Sequence, residues 1–205
     1  MQKVNDDTTT SVTIRREAGP TMLLGSGSYF DYAHPEADGL TIEDYAYGLA
    51  FTGRFSGQCV NKRTGQRVFY SVAQHCEILS RLVPADLAYA ALMHESGEVV
   101  CGDLTSPLKS MLPCYKIIEK SCAAAIERRF RVAAEDIDAI KPYDVRLWAS
   151  EREQLLNWDG RPWGDSDRTV PFDFLIEPKD PYIAAKDFLN RFWELAPSEF
   201  EMAAS

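Results

Sequence analysis

Three stretches of this sequence repeat apolar residues at the helical period, and each carries ionisable side chains within its apolar stripe. The stripes are Val68, Val72, His75, Leu79 and Leu82; Leu87, Ala90, Ala91, His94 and Glu98; and Ile140, Asp144, Leu147, Trp148, Glu151 and Leu155. Such spacing predicts three helices that turn these faces towards one core. The fold must therefore place polar groups where apolar side chains are expected.

A shared metal ion would explain this pattern. A single histidine on an apolar face is usually a hydrogen-bonded core residue, but a buried carboxylate without a cationic partner costs several kcal/mol. His75, His94, the adjacent Glu95 and Asp144 together offer two imidazoles and two carboxylates. This ligand set suits Mn²⁺, Fe²⁺, Co²⁺, Ni²⁺ or Zn²⁺ and does not favour Ca²⁺ or Mg²⁺. The sequence does not choose among the five metals.

The remaining patterns predict an all-α fold. A capped helix is expected from Thr41, and the helices are expected at 41–51, 69–82, 85–99, 113–130, 137–158 and 182–195, with a short helical piece after Ser106. Residues 1–40 are expected to be an irregular N-terminal segment with a short strand at 11–14 and a turn at 25–28. Residues 41–196 are expected to form a single domain, followed by a C-terminal tail at 197–205.

The charge of the chain limits its partners. A net charge of −9 and a pI near 4.9 argue against a surface for duplex nucleic acid, which needs clustered Lys and Arg. A small anionic substrate is compatible with this charge if a bound cation reverses the potential locally. The sequence shows no membrane span and no signal-peptide core, so a cytoplasmic protein is expected; a homo-oligomer is left open.

The cysteines do not suggest a zinc site or a disulfide framework. The chain has five cysteines and no C-x-x-C pair, which fits reduced thiols. Cys76 follows His75 directly, but the helical pattern places it off the buried face. It is therefore interpreted as an ordinary packing residue. His34 lies outside any helical stripe and is expected on the surface.

The ordered set His75, His94-Glu95 and Asp144 resembles the HD superfamily of phosphohydrolases. Three surrounding segments, 71–75, 91–98 and 102–109, are similar to the branch that contains bacterial 5′-deoxynucleotidases and related bacteriophage dATP triphosphohydrolases. The resemblance covers roughly residues 41–156. It implies an HD-domain helical bundle, a divalent transition metal at these four positions and a nucleotide substrate.

The resemblance also implies roles for further residues. Glu98 and Asp103 correspond to the acidic residues of the catalytic site, where one of them would place the attacking water. The substrate-binding positions of the branch fall on Arg54, Phe55, Pro107 and Lys109. Arg54 is expected to hold phosphate, and the ring of Phe55 is expected to pack near the nucleoside. The basic loop at 61–67 is a second candidate for phosphate contacts, with a solvated surface loop as the alternative.

One position departs from the family pattern, because the HD pair reads His94-Glu95. The extra methylene of Glu moves the carboxylate by more than about an ångström, which is the scale on which catalytic geometry fails. Two functions are therefore carried forward. The first is a metal-dependent phosphohydrolase that acts on deoxynucleoside monophosphates or triphosphates. The second is a nucleotide-binding or regulatory protein with a weakened metal site.

Overall fold

The computed structural model describes residues 19–163, 169–198 and 200. Most of these residues are helical, and the strands among them form one two-stranded antiparallel sheet. The expectation of a largely α-helical fold is therefore confirmed, while the strand predicted at 11–14 lies outside the described residues. Within the described part of the chain, no helix combines the length and the apolar character needed to cross a lipid bilayer.

A short hairpin occupies part of the segment that was expected to be irregular. Strand β1 (Thr21–Leu23) pairs antiparallel with β2 (Tyr29–Asp31). The expected turn between them is present, with Leu24 N–H donating to Ser28 O at 2.8 Å and Gly27 in the left-handed region at φ 90°. The irregular assignment is wrong for the strands, because three residues are too few to display the alternation that identifies a strand.

Eight α-helices follow the hairpin in the described part of the chain. They are α1 (Ile42–Ala50), α2 (Val72–Leu82), α3 (Ala88–Met93), α4 (Glu98–Cys101), α5 (Ser106–Ser110), α6 (Pro113–Phe130), α7 (Ala134–Leu155) and α8 (Pro181–Leu195). Thr41 starts α1 with a capping box, in which its hydroxyl accepts from Asp44 N–H and the Asp44 carboxylate accepts from Thr41 N–H. Pro142 lies inside α7 without ending it.

The single helix predicted at 85–99 is wrong. A 3₁₀ turn at Ala85–Leu87 leads into α3, and the chain leaves the α-helix at His94 before α4 begins at Glu98. The Ser96 hydroxyl donates to the carbonyl of Met93 at 2.6 Å, a local bond that competes with the helical pattern. The break separates His94 and Glu95 from the helix that carries Glu98.

Helix α2 is the centre of the fold. It contacts α1, α3, α7 and α8. Its residues Val72, Ala73 and Cys76 belong to one buried apolar cluster, while Leu79 belongs to a second cluster with Tyr70, Leu147 and Leu155. Because apolar packing surrounds α2 on more than one side, His75 on this helix is fully buried.

The first cluster is built around aromatic rings. Tyr45 on α1 stacks on Phe188 of α8 at 5.5 Å and meets Phe130 of α6 edge-on at 5.4 Å. Phe200, in the segment expected to be a tail, stacks on Phe130 at 6.0 Å. These contacts join the two ends of the helical region.

We expect Phe188→Ala to lower the free energy of unfolding by about 3–5 kcal/mol, because the truncation leaves a cavity in the aromatic cluster. Tyr182→Ala on the same helix is the matched control: Tyr182 is 65% exposed, and its truncation should cost less than about 1 kcal/mol. Equilibrium urea unfolding of both variants measures the difference. Equal losses would show that α8 is not anchored through Phe188.

Candidate metal centre

Two histidine rings face each other in the interior of the helical bundle. His75 lies in the middle of α2, and His94 lies at the C-terminal end of α3. Their Nε2 atoms are 3.3 Å apart, and both side chains are at least nine-tenths buried. The structure thus brings together two residues that are 19 positions apart in the sequence.

The hydrogen bond at Nδ1 of each ring determines whether the Nε2 atom of that ring carries a lone pair for metal binding. His94 Nδ1 lies 2.8 Å from the carbonyl oxygen of Ala91, and since this oxygen has no hydrogen, Nδ1 is the donor. His75 Nδ1 lies 2.6 Å from a carboxylate oxygen of Glu151, which favours the same tautomer. In the neutral rings both Nε2 atoms then carry lone pairs, and these lone pairs point at the same space.

Two carboxylates complete the group. Asp144 Oδ1 of α7 lies 3.1 Å from His75 Nε2 and 3.9 Å from His94 Nε2. Glu95 Oε1 lies 3.5 Å from His94 Nε2, and one ligand atom from each of His75, His94 and Glu95 lies within 4.8 Å of the others. The four residues expected from the sequence to bind metal are therefore neighbours.

The spacing of the closest pairs fits metal coordination: His75 Nε2 lies 3.3 Å from His94 Nε2 and 3.1 Å from Asp144 Oδ1, whereas His94 Nε2 and Asp144 Oδ1 are farther apart at 3.9 Å. Two ligand atoms at about 2.1 Å from one ion lie roughly 3.0 to 3.4 Å apart at octahedral or tetrahedral angles. The same atoms can also pair as protonated imidazoles with carboxylates, His75 with Asp144 at 3.1 Å and His94 with Glu95 at 3.5 Å. A cation shared by the four side chains would take the place of the two Nε2 protons.

Glu151 contacts His75 on the side of the ring that faces away from His94. It was not assigned a role from the sequence. Its fully buried carboxylate accepts hydrogen bonds from His75 Nδ1 at 2.6 Å, from the Tyr70 hydroxyl at 2.8 Å and from Arg54 Nη2 at 3.0 Å. Although burial opposes ionisation, Arg54 and His75 hold the pKa of Glu151 below its ordinary value. A carboxylate in this position orients a histidine ligand and raises its basicity.

Arg54 lies beside the candidate ligands, but its contacts differ from the expected role in phosphate binding. Its Nη1 atom pairs with Glu95 Oε1 at 3.2 Å and its Nη2 atom pairs with Glu151, while the residue is only 8% exposed. The following residues Phe55 and Ser56 adopt left-handed conformations, with φ of 53° and 52°. The Phe55 ring lies 5.5 Å from the Arg54 guanidinium, which places it beside the residue that contacts Glu95.

Glu98 is a buried acid with an incomplete set of partners. Its Oε1 atom lies 3.7 Å from Lys109 Nζ, and within the described part of the chain its Oε2 atom has no hydrogen-bond partner. Burial, together with the Glu95 and Asp103 carboxylates, raises the pKa of Glu98 well above its ordinary value. Burial also raises the pKa of Asp103, although Arg54 opposes this shift. The two expected catalytic acids therefore belong to the same electrostatic environment as the candidate ligands.

The turn after α4 brings Lys109 to this environment. Gly102 turns the chain at φ 78°, a conformation that other residues rarely adopt, and Pro107 lies in the first turn of the short helix α5. Lys109 then forms an ion pair with Glu119 of α6 at 2.7 Å. Pro107 itself is exposed, and its place in the first turn of α5 accounts for it as a helix residue. Glu119 was missed because it lies within the charged face of a long helix.

Two other groups do not join the centre. The basic loop lies against the end of α7, where Lys62 N–H donates to the carbonyl of Gln154 at 3.0 Å. Gln154 is ten residues beyond Asp144, or about 15 Å along the helix axis. Lys62 and Arg63 instead line a separate surface pocket of about 480 Å³. His34 is exposed, as expected.

The assignment of Cys76 to the unburied side of α2 is wrong. Cys76 is fully buried, because α2 is surrounded by other helices and has little outer face. Its sulfur lies 3.9 Å from Nδ1 of His94, on the side of the ring away from His75. The thiol therefore packs behind the candidate centre and does not lie among the four converging atoms.

We expect Glu151→Gln to weaken the binding of Mn²⁺ or Co²⁺ by about 10- to 100-fold, the usual effect of removing an outer partner of a histidine ligand. The matched control is Glu153→Gln, which removes an exposed carboxylate two residues away on α7. Titration calorimetry measures both. If the two variants bind metal equally well, Glu151 does not support the centre.

Comparison with known proteins places the chain in a family. It is 34% identical to the uncharacterized protein YfdR of Escherichia coli K12 over 172 residues, which cover 83% of this chain and 93% of that protein. It is 35% identical to the uncharacterized protein RCAP_rcc00048 of Rhodobacter capsulatus over 145 residues, which cover 65% and 71% of the two chains. No family model matches the sequence. The extent of the first match shows that this chain belongs to the same family as YfdR.

Proposed function

We propose that this protein is a metal-dependent phosphohydrolase with an HD-type helical bundle, acting on deoxynucleotides. One observation carries the proposal: the Nε2 atoms of the buried His75 and His94 lie close together and beside carboxylate oxygens of the partly exposed Glu95 and Asp144. This arrangement agrees with the ligand set that the resemblance to HD phosphohydrolases implies.

The four converging side chains would hold a divalent transition metal, with two imidazoles and two carboxylates as ligands. Such an ion, when bound, supplies a Lewis acid that polarises a phosphate oxygen and neutralises its charge. The protein would therefore attract an anionic substrate despite its net charge of −9.

Glu98 is suited to hold and donate a proton. A carboxyl group with a raised pKa remains protonated closer to neutral pH than an ordinary glutamate. Its Oε2 atom is buried and has no hydrogen-bond partner among the described residues, so this oxygen is the candidate for a hydrogen bond to water or substrate. Asp103 shares the raised pKa and is the second candidate for this task. We assign proton transfer to this pair of acids.

Lys109 provides the positive charge on the same side of the site. Its ammonium lies between Glu98 and Glu119, within 3.7 Å of the first and 2.7 Å of the second. Glu98 Oε1 lies 3.7 Å from the ammonium and the raised pKa of Glu98 disfavours its charged form, so the ammonium is also suited to contact phosphate oxygens. The Lys109 side chain is 23% exposed, which leaves it open to a ligand.

The position of the basic loop at 61–67 is relevant to how many phosphates the substrate carries. Lys62 and Arg63 were the residues that could extend the site towards a triphosphate, but they line a different pocket. Release of a single phosphate from a deoxynucleoside monophosphate is therefore the reaction we place first. Removal of triphosphate from a deoxynucleoside triphosphate is the second.

A non-enzymatic function has one observation in its favour. Glu95 stands where the HD pattern has Asp, and its carboxylate is also paired with Arg54. A site in which this pair prevents metal binding would leave a nucleotide-binding or regulatory protein. Metal binding by the purified protein distinguishes the two functions.

We expect the metal-loaded protein to release phosphate or triphosphate from at least one member of a panel of deoxynucleoside mono- and triphosphates. Asp144→Asn should abolish this release, because it removes a charged ligand while preserving the shape of the side chain. Chelation of the metal should do the same. Metal binding without turnover of any member would reject the enzyme and favour the regulatory protein.

We expect Glu98→Gln to retain metal but to reduce the rate of phosphate release by about 100-fold or more, the usual size of a general acid–base contribution. Glu153→Gln is again the control and should keep full activity. Metal content by elemental analysis accompanies the kinetics. Loss of metal from Glu98→Gln would instead identify Glu98 as a ligand.

A further inference from the structure

The guanidinium of Arg54 joins two acidic residues from different parts of the fold. Nη1 contacts Glu95 in the turn between α3 and α4, and Nη2 contacts Glu151 in the middle of α7. Glu151 also accepts from His75, so a continuous chain of contacts runs from Glu95 through Arg54 and Glu151 to His75. Both ends of this chain are candidate metal ligands.

The backbone holds Arg54 in this position. Its N–H donates to the carbonyl of Tyr70 at 2.9 Å, and the side-chain hydroxyl of the same tyrosine donates to Glu151. After Arg54, the left-handed conformations of Phe55 and Ser56 each cost on the order of 1 kcal/mol or more. Two consecutive residues adopt this conformation only where the surroundings impose it, so the Arg54 side chain is directed into the bundle by a constrained turn.

The side chain of Glu95 is long enough to contact Arg54 and His94 at once. Its Oε1 atom lies 3.2 Å from Arg54 Nη1 and 3.5 Å from His94 Nε2 at the same time. An aspartate at this position is shorter by one carbon–carbon bond of about 1.5 Å. It could not keep both distances without a shift of the backbone. A glutamate can reach the converging atoms and the guanidinium together.

We infer that Arg54 is a positioning residue that fixes Glu95 for metal binding by bridging it to Glu151, an inference that rests on the proposed metal site. This role differs from the phosphate contact that the resemblance implies for Arg54. Both terminal nitrogens are paired with carboxylates, and the residue is 8% exposed. Its geometry therefore serves a neighbouring ligand better than an incoming substrate.

The test compares metal affinity in Arg54→Lys with that of the wild-type protein, using Co²⁺ or Mn²⁺ alone in titration calorimetry. Lysine keeps the positive charge but cannot bridge two carboxylates with a planar fork. We expect the Kd for metal to rise about 10-fold or more, the usual effect of losing an outer partner. Arg63→Lys, at an exposed position, is the matched control and should leave the Kd unchanged.

A second variant covers the case in which Arg54→Lys does not fold. Glu95→Asp keeps the charge at position 95 but should lose either the guanidinium or the converging atoms, so we expect a similar rise in Kd. Where both single variants fold, the double variant should be little worse than either one, because each prevents Glu95 from holding the guanidinium and the converging atoms together. An unchanged or tighter Kd in Glu95→Asp would overturn the inference.

The outcomes separate this inference from the proposed function. If the wild-type protein binds no transition metal, the proposed function itself fails. If the wild-type protein binds metal and Arg54→Lys binds it equally well, the positioning role fails alone. An unchanged metal Kd with a raised KM for the nucleotide would show that Arg54 binds substrate phosphate, as the family resemblance implies.

Discussion

The buried carboxylate of Glu151 is the contact on which the interior of this protein depends. It is fully buried, and three donors from different segments, His75, Tyr70 and Arg54, meet on it. An isolated carboxylate in this position would cost several kcal/mol, so the three donors must stay in place for the fold to be stable. By fixing His75, the same carboxylate sets the tautomer that directs the inner nitrogen at His94.

The sequence predicted the four converging residues because each occupies, or adjoins, an apolar stripe of helical period. It also predicted a mainly helical fold, and the bounds of α6 and α8 agree within a residue. Glu151 lay on the same stripe as Asp144, seven residues away, so the signal for it was present. What distinguishes Glu151 from other buried charges is its hydrogen bonds to Arg54 and Tyr70. These contacts join distant parts of the sequence, so the periodicity of one helix does not reveal them.

Other features could not be found from a helical pattern for physical reasons. The break between α3 and α4 depends on a serine hydroxyl that bonds to a nearby carbonyl, and the apolar spacing continues across it. The burial of Cys76 follows from helices packed around α2, which a stripe on one helix cannot reveal. The basic loop looked suited to phosphate, but backbone hydrogen bonds hold it at the far end of α7.

The contact with Arg54 offers a structural reason for glutamate at position 95, where the HD pattern has aspartate. In the sequence alone, a glutamate in place of the family aspartate suggests either adaptation or decay of the site. In the structure its longer side chain reaches both the guanidinium and the space between the histidines. X-ray absorption spectroscopy of the cobalt-loaded protein tests whether these four side chains bind a metal. We expect two imidazole nitrogens and only nitrogen or oxygen ligands at about 2.0–2.2 Å, whereas a sulfur ligand near 2.3 Å, or no imidazole at all, would contradict metal binding by this set.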